Sequence, residues 1–148
     1  MSQYDKYEFI EASSDSTLFS FASTGPNGVV EKVVQFSKTT THGVYNLAFG
    51  NIDESGDIDD KTTNNNKDRN KILATIAAIV YMFTEEYPDR YVFFTGSTKE
   101  RTRLYRMAIN LNFQELSLSF NIYGILESSE TEPFKASQNY KGFLIHRK

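Results

Sequence analysis

Apolar and polar residues alternate in short runs through the first fifty positions, a pattern typical of strands that bury one face. Clusters of glycine, proline, serine and asparagine separate these runs and favour turns. Because consecutive strands joined by short turns usually pair with each other, the pattern predicts an N-terminal antiparallel β-meander. Its strands are expected near residues 7–11, 17–22, 29–36 and 44–50.

A helical period replaces the alternation after Asp68, a good N-cap residue. Apolar residues such as Ile72, Ile76 and Phe83 predict a long helix that reaches about Tyr87 and is buried on more than one side. Farther along, residues 112–120 fit a short helix or a strand equally well, whereas residues 121–126 and 140–145 predict a C-terminal β-hairpin. Together these elements predict an α+β fold with two main helices packed on a mixed sheet. A length of 148 residues indicates a single domain, 1–148.

Residues 91–107 combine a strand, a glycine turn and a charged helix. The aromatic and β-branched run 91–94 predicts the strand, which ends at Gly96. Ser97 and Glu100 have the spacing of a capping box, so a helix is expected to begin at Ser97. Such a corner brings unpaired backbone N–H groups and the positive end of the helix dipole to one point, which favours an anion.

A rotation of about 100° per residue predicts the two faces of this helix. The buried face is expected to consist of Leu104, Met107, Ala108 and Leu111, and the exposed face of Lys99, Arg103 and Arg106. Arg101 falls on the apolar side, where a guanidinium needs an anionic partner. One alternative is an internal salt bridge to the acidic residues of 57–60. The other is a ligand site in which a phosphate, a carboxylate or a nucleic-acid backbone contacts Gly96, Ser97, Thr98 and Arg101.

Composition narrows the class of protein. The sequence has no cysteine, which excludes disulfides, thiolate zinc sites and cysteine nucleophiles. No signal-peptide pattern and no apolar run of spanning length occur, so we expect a cytoplasmic protein without a membrane partner. A formal charge of -3 argues against non-specific coating of nucleic acid. The four cations between Lys99 and Arg106 nevertheless form a local basic face.

Residues 51–67 are acidic and rich in asparagine, and they predict a long loop. Its carboxylates lack EF-hand spacing, so no metal site is expected. Asn65 and Asn66 are candidates for amide contacts to a ligand, although asparagine is also a common turn residue. His42 and His146 are far apart in the chain, and neither a Walker loop nor a nucleophile elbow is present. We therefore expect no cofactor, and the sequence does not decide whether the protein is an enzyme.

Several short motifs are distinctive: Tyr45–Gly50, Ile58–Asp60, Asn65-Asn66 with Asp68, Leu73–Thr75, Gly96–Thr98 and Arg101–Arg106. Together they resemble the motifs of a family of small bacterial proteins of unknown function. The resemblance implies an α+β fold and a shared role for the Gly-Ser-Thr turn and Arg101. A weaker, fold-level similarity to GNAT-type N-acetyltransferases rests on Leu104-Tyr105 and Phe113, without the glycine-spaced pyrophosphate signature of those enzymes.

Two functions fit these observations. The first is a binding or regulatory module whose basic helix and glycine turn hold an anionic partner, either a nucleic acid or an acidic protein, with Tyr105 available for stacking. The ligand-binding residues would then include Arg103 and Arg106 besides the turn and Arg101. The second is an enzyme or sensor for a small phosphorylated ligand, a nucleotide or a CoA-like compound. The oligomeric state does not follow from the sequence.

Overall fold

A computed structural model describes residues 5–52, 58–59 and 67–148. The chain divides into two compact units. The N-terminal unit consists of the described residues of Ser2–Ser37 and Leu47–Glu86, and the C-terminal unit of Lys38–Asn46 and Tyr87–Lys148. Strand β4 (Val44–Ile52) contributes residues to both units. The prediction of a single domain stays a prediction.

In the N-terminal unit, strands follow one another in the order in which they occur in the chain. Strand β1 (Phe9–Glu11) pairs antiparallel with β2 (Leu18–Gly25), and β2 pairs antiparallel with β3 (Gly28–Lys38). Strand β4 is next in the sheet, and the two-residue strand β5 (Ile58–Asp59) pairs antiparallel with its end. The predicted meander is confirmed. The prediction of a loop from residue 51 is wrong at Asn51-Ile52 and at β5, because pairing with a neighbouring strand overrides weak local propensity.

Helix α1 (Arg69–Glu86) supplies the apolar layer of this unit. Its buried residues include Ile79 and Phe83, both fully buried, and the Phe83 ring stacks on Phe36 of β3 with 3.9 Å between ring centroids. The second turn of α1 buries Thr75, whose hydroxyl donates a hydrogen bond to the backbone carbonyl of Lys71. The sheet and one helix thus enclose a phenylalanine-rich core. Each aromatic side chain buries a large area, so a few of them fill most of this core.

In the C-terminal unit, β6 (Tyr91–Phe94) pairs parallel with the beginning of β4, where Tyr45 lies opposite Val92. Strand β9 (Gly142–Arg147) pairs antiparallel with β6 on one side and with β7 (Phe120–Ile125) on the other. Strand β8 (Thr131–Pro133) pairs with the outer edge of β7. The C-terminal hairpin is therefore confirmed as β7 with β9, and β8 lies in the connection that the sequence pattern left without structure.

Two helices complete this unit, α2 (Lys99–Leu111) and the short α3 (Phe113–Ser119). Of the ambiguous segment 112–120, residues 113–119 are helical, Asn112 is the turn between α2 and α3, and Phe120 begins β7. Parallel and antiparallel pairs occur together, so the structure confirms the α+β fold with a mixed sheet. Among the described residues, no helix is long and apolar enough to cross a membrane.

Candidate functional site

The N-cap of helix α2 lies one residue later than the Ser97 cap that the capping-box pattern predicts, and the first helical residue is Lys99. Its N-cap is Thr98, in extended conformation, and the Thr98 hydroxyl accepts a hydrogen bond from the backbone N–H of Arg101 at 3.2 Å. The backbone N–H of Thr102 donates to the Thr98 carbonyl at 3.0 Å. The prediction that Ser97 caps the helix is wrong, because Thr98 is also a favourable N-cap residue and lies at the position where the chain turns into the helix.

Gly96 has a packing role in this corner. A Cβ atom added to it would lie 2.6 Å from the backbone carbon of Arg101 and closer still to the backbone nitrogen of Thr102. The Gly96 N–H donates to the Thr102 hydroxyl at 3.0 Å. Glycine is therefore needed because the first turn of α2 lies directly against the end of β6. Its N–H already has an acceptor within the protein.

The buried face of α2 differs from the predicted one. Ile109 is its buried residue, whereas Met107 and Leu111 are 49% and 55% exposed. The prediction that Met107 and Leu111 belong to the buried face is wrong. Apolar residues occur on several sides of this helix, so the sequence period alone does not decide which side meets the sheet.

Arg106 of the predicted exposed face and the neighbouring Tyr105 make contacts within the C-terminal unit. The Arg106 guanidinium is half-buried and donates to the backbone carbonyls of Ala136 and Gln138 at 3.5 and 3.4 Å. The Tyr105 ring meets the Phe94 ring edge-on, with centroids 5.6 Å apart. Tyr105 thus packs against β6, and stacking of this ring on a ligand stays a prediction.

Lys99 and Arg103 are exposed, as predicted. Within the described part of the chain, neither has a hydrogen-bond or ion-pair partner. Steps of four residues along α2 lead from Lys99 through Arg103 and Met107 to Leu111, all of them exposed. Since residues four apart are neighbours on a helix surface, the four side chains form one continuous line. We call this line the α2 ridge.

A second group of cations lies on the segment that follows β8. The Tyr140 hydroxyl donates to Glu132 at 2.6 Å and accepts the backbone N–H of Lys135 at 3.0 Å, which fixes this segment. Burial, followed by the Glu132 carboxylate, raises the pKa of Tyr140, so its hydroxyl keeps its proton and remains a donor. Lys135 forms an ion pair with Glu132 at 3.9 Å, and the Lys141 ammonium donates to the Ser129 hydroxyl. Both cations therefore have partners, unlike those of the α2 ridge.

The remaining predicted site residues fall into two groups. Ser97 and Thr98 are exposed at the turn, and Arg101 is half-buried in the first turn of α2 and is engaged in an interaction within the protein. Asn65 and Asn66 lie outside the described residues, as do the side chains of 57–60 that were candidates for a salt bridge to Arg101. No group of three or more His, Asp or Glu residues suited to a metal occurs among the described residues.

Charge is distributed unequally between the two units. The C-terminal unit contains ten Lys and Arg against six Asp and Glu, a formal charge of +4. The N-terminal unit contains six against thirteen, a formal charge of -7, so the two values account for the net charge of -3. The basic face predicted from α2 alone therefore belongs to a unit that is cationic as a whole.

The N-terminal unit buries polar groups that the sequence pattern was not used to predict. Lys32 is 4% exposed and donates to the Asn51 side-chain carbonyl at 2.5 Å. The Asp68 carboxylate accepts hydrogen bonds from the hydroxyls of Tyr7 and Ser23, so this predicted N-cap residue ties the N-terminal segment and β2 to the beginning of α1. The alternation of β3 was a usable signal for Lys32, because it places Lys32 on the same face as Phe36.

Comparison with known proteins identifies relatives by sequence but not by function. The model of one family, described as a family of unknown function, matches residues 3–148, nearly the whole chain. Searches of curated proteins and of solved structures return no match. The resemblance to a family of unknown function is thus confirmed, whereas neither search supports the similarity to N-acetyltransferases.

Proposed function

The chain belongs to DUF6934, a family of unknown function, and we propose that it is a binding module that holds an anionic macromolecule on the basic end of the α2 ridge. Lys99 and Arg103 carry the proposal. They are exposed, lie one helical turn apart and have no partner among the described residues. Exposed cations on one side of a helix, left without an internal counter-charge, are suited to phosphate or carboxylate groups.

The electrostatic setting favours the same function. The C-terminal unit has a formal charge of +4, so an approaching polyanion is attracted to this unit rather than to the acidic N-terminal unit. The Thr98 cap and the close approach of Gly96 also hold the beginning of α2, the helix on which both cations lie, against β6. We place this activity in the cytoplasm, a proposal for which the cysteine-free sequence is the support.

Binding to labelled polyanions tests the proposal. We would measure fluorescence anisotropy with single-stranded RNA, duplex DNA and poly-glutamate between about 50 and 200 mM salt. If both cations contact phosphates of the duplex, the slope of log K against log salt is expected to be about -2. The double variant Lys99→Gln/Arg103→Gln should weaken binding at low salt and bring this slope close to zero.

A matched variant removes the same two charges elsewhere. Lys6 and Lys38 are both exposed and lie off the ridge, so Lys6→Gln/Lys38→Gln should leave the affinity and the salt slope nearly unchanged. Equal losses in the two double variants would show that net charge, not the ridge, governs binding. A wild type that binds none of the three polyanions at low salt would refute the proposal.

A small phosphorylated ligand at the turn is the second candidate. The backbone N–H groups of Lys99 and Glu100 have no acceptor among the described residues and lie at the positive end of the helix dipole. Two other groups are less available, since the N–H of Gly96 donates to Thr102 and that of Arg101 donates to Thr98. A rise in melting temperature with phosphate, a nucleotide or CoA, insensitive to salt and lost in Arg101→Ala, would support an enzyme or sensor.

A further inference from the structure

The α2 ridge has two chemically different halves. Lys99 and Arg103 form its cationic half, and Met107 and Leu111 form an aliphatic half that is about half exposed. At a rise of 1.5 Å per residue, the ridge is about 18 Å long. Leu118 on the following helix is also exposed, at 79%. An apolar surface next to exposed cations is typical of an interaction site.

The aliphatic half distinguishes between the anionic partners that the proposed function allows. The phosphates of a duplex would satisfy the cations but leave Met107 and Leu111 uncovered. Single-stranded nucleic acid is bound by stacking on aromatic rings or guanidinium planes. Arg103 offers one guanidinium plane, but Met107 and Leu111 offer no ring, and the aromatic ring of this helix, Tyr105, packs on Phe94. A partner that covers the whole ridge needs carboxylates and aliphatic side chains side by side, which is the chemistry of a protein surface.

The N-terminal unit carries such a surface. Val29 is 73% exposed on β3, and Glu31 is exposed two residues farther along, on the same face of the strand. In the described part of the chain Glu31 has no ion-pair partner. The two positions lie about 7 Å apart at the rise of a strand, and Arg103 and Met107 lie about 6 Å apart at the rise of a helix. Their spacing and their chemistry are complementary, and the units that carry them have charges of -7 and +4.

We propose that the α2 ridge binds the N-terminal unit of a second copy of this chain, with Glu31 of one copy against Arg103 of the other and Val29 against Met107. This inference rests on the proposed function, because it names the anionic partner of the same ridge. The contact joins different surfaces, so it closes a dimer if both copies exchange it and builds larger assemblies if they do not. A small mixed interface of this kind forms weak, reversible complexes.

Molecular mass as a function of concentration tests the proposal. Sedimentation equilibrium from roughly 10 µM to 1 mM should show the mass rising from 16.9 kDa toward twice that value or more, and less so at high salt. Arg103→Glu and Glu31→Arg should each raise the dissociation constant at least about tenfold, since each sets like charges against each other. The double variant Arg103→Glu/Glu31→Arg restores opposite charges and should recover most of the association. Met107→Gln/Leu111→Gln should also weaken association, through lost apolar burial.

Three outcomes would overturn the proposal: a wild type that stays at the mass of one chain up to about 1 mM, single variants that associate like the wild type, or a double swap that fails to recover association. Circular dichroism of each variant checks that it is folded. Glu31→Arg leaves both ridge cations in place, so this monomeric variant should bind the polyanions at least as well as the wild type. A monomeric wild type that binds poly-glutamate or RNA would refute this inference alone, and one that binds RNA through Met107 and Leu111 would assign the whole ridge to nucleic acid.

Discussion

Replacing Gly96 with alanine places a methyl group inside the first turn of α2. The added carbon would lie 2.6 Å from both the backbone carbon and the Cβ of Arg101. These atoms belong to the helix backbone and its first side-chain atom, so they cannot rotate away, and the strand end and the helix must separate. Overpacking of this kind typically costs about 1–3 kcal/mol. The movement also weakens the hydrogen bond from Gly96 to Thr102, worth about 1 kcal/mol.

We therefore expect Gly96→Ala to lower the free energy of unfolding by about 3 kcal/mol, which corresponds to a decrease in Tm on the order of 10 °C for a chain of this length. Urea denaturation followed by circular dichroism measures the loss. Thr102→Val sets an upper limit on the hydrogen-bond contribution, because it removes the hydroxyl that accepts from Gly96 and also donates to the Thr98 carbonyl, and it nearly preserves the shape of the side chain.

Gly28→Ala provides the contrast. Gly28 has φ 89°, and nothing lies within 4 Å of the methyl group that alanine would add, so its cost is the dihedral strain alone, about 1 kcal/mol. If Gly96→Ala lost no more stability than Gly28→Ala, the close approach of β6 and α2 would be refuted. A stable Gly96→Ala variant that lost polyanion binding would instead assign this glycine to the ligand.

Three further predictions concern the C-terminal unit. Gly124→Ala should cost about 1–3 kcal/mol in urea denaturation, because the methyl group would collide with the buried ring of Tyr140, which a hydrogen bond to Glu132 holds in place. Tyr140→Phe should cost about 1–2 kcal/mol at neutral pH through the two lost hydrogen bonds. Because the folded state raises the pKa of Tyr140, its contribution is complete below the ordinary tyrosine value of about 10 and is lost as the pH rises through the higher folded-state pKa. Unfolding free energies measured across this range should therefore fall less steeply in Tyr140→Phe, and parallel curves would contradict the assignment. Thr98→Ala should cost about 1 kcal/mol by leaving the Arg101 N–H without its acceptor, a loss that thermal melting of the variant and the wild type measures.

Local patterns in the sequence determined most elements of the fold. Alternation predicted the strands of the N-terminal meander, a helical period predicted α1, and an aromatic run followed by a glycine turn predicted β6 and α2. These patterns succeed because side-chain periods of two and of about 3.6 residues are properties of the local backbone. The exposure of Lys99 and Arg103 was predictable for the same reason.

Tertiary structure decided the features that depend on residues far apart in the chain. Apolar residues occur on several sides of α2, so only the sheet it packs against selected Ile109 for burial and left Met107 and Leu111 exposed. The packing role of Gly96 depends on how closely β6 and the helix approach each other, and β8 forms because β7 offers an unpaired edge. The partners of Asp68, which are Tyr7 and Ser23, lie far from it in the chain. The sequence thus determined that Lys99 and Arg103 would be exposed cations. The tertiary structure decided that Met107 and Leu111, which follow them along the same side of α2, are exposed as well.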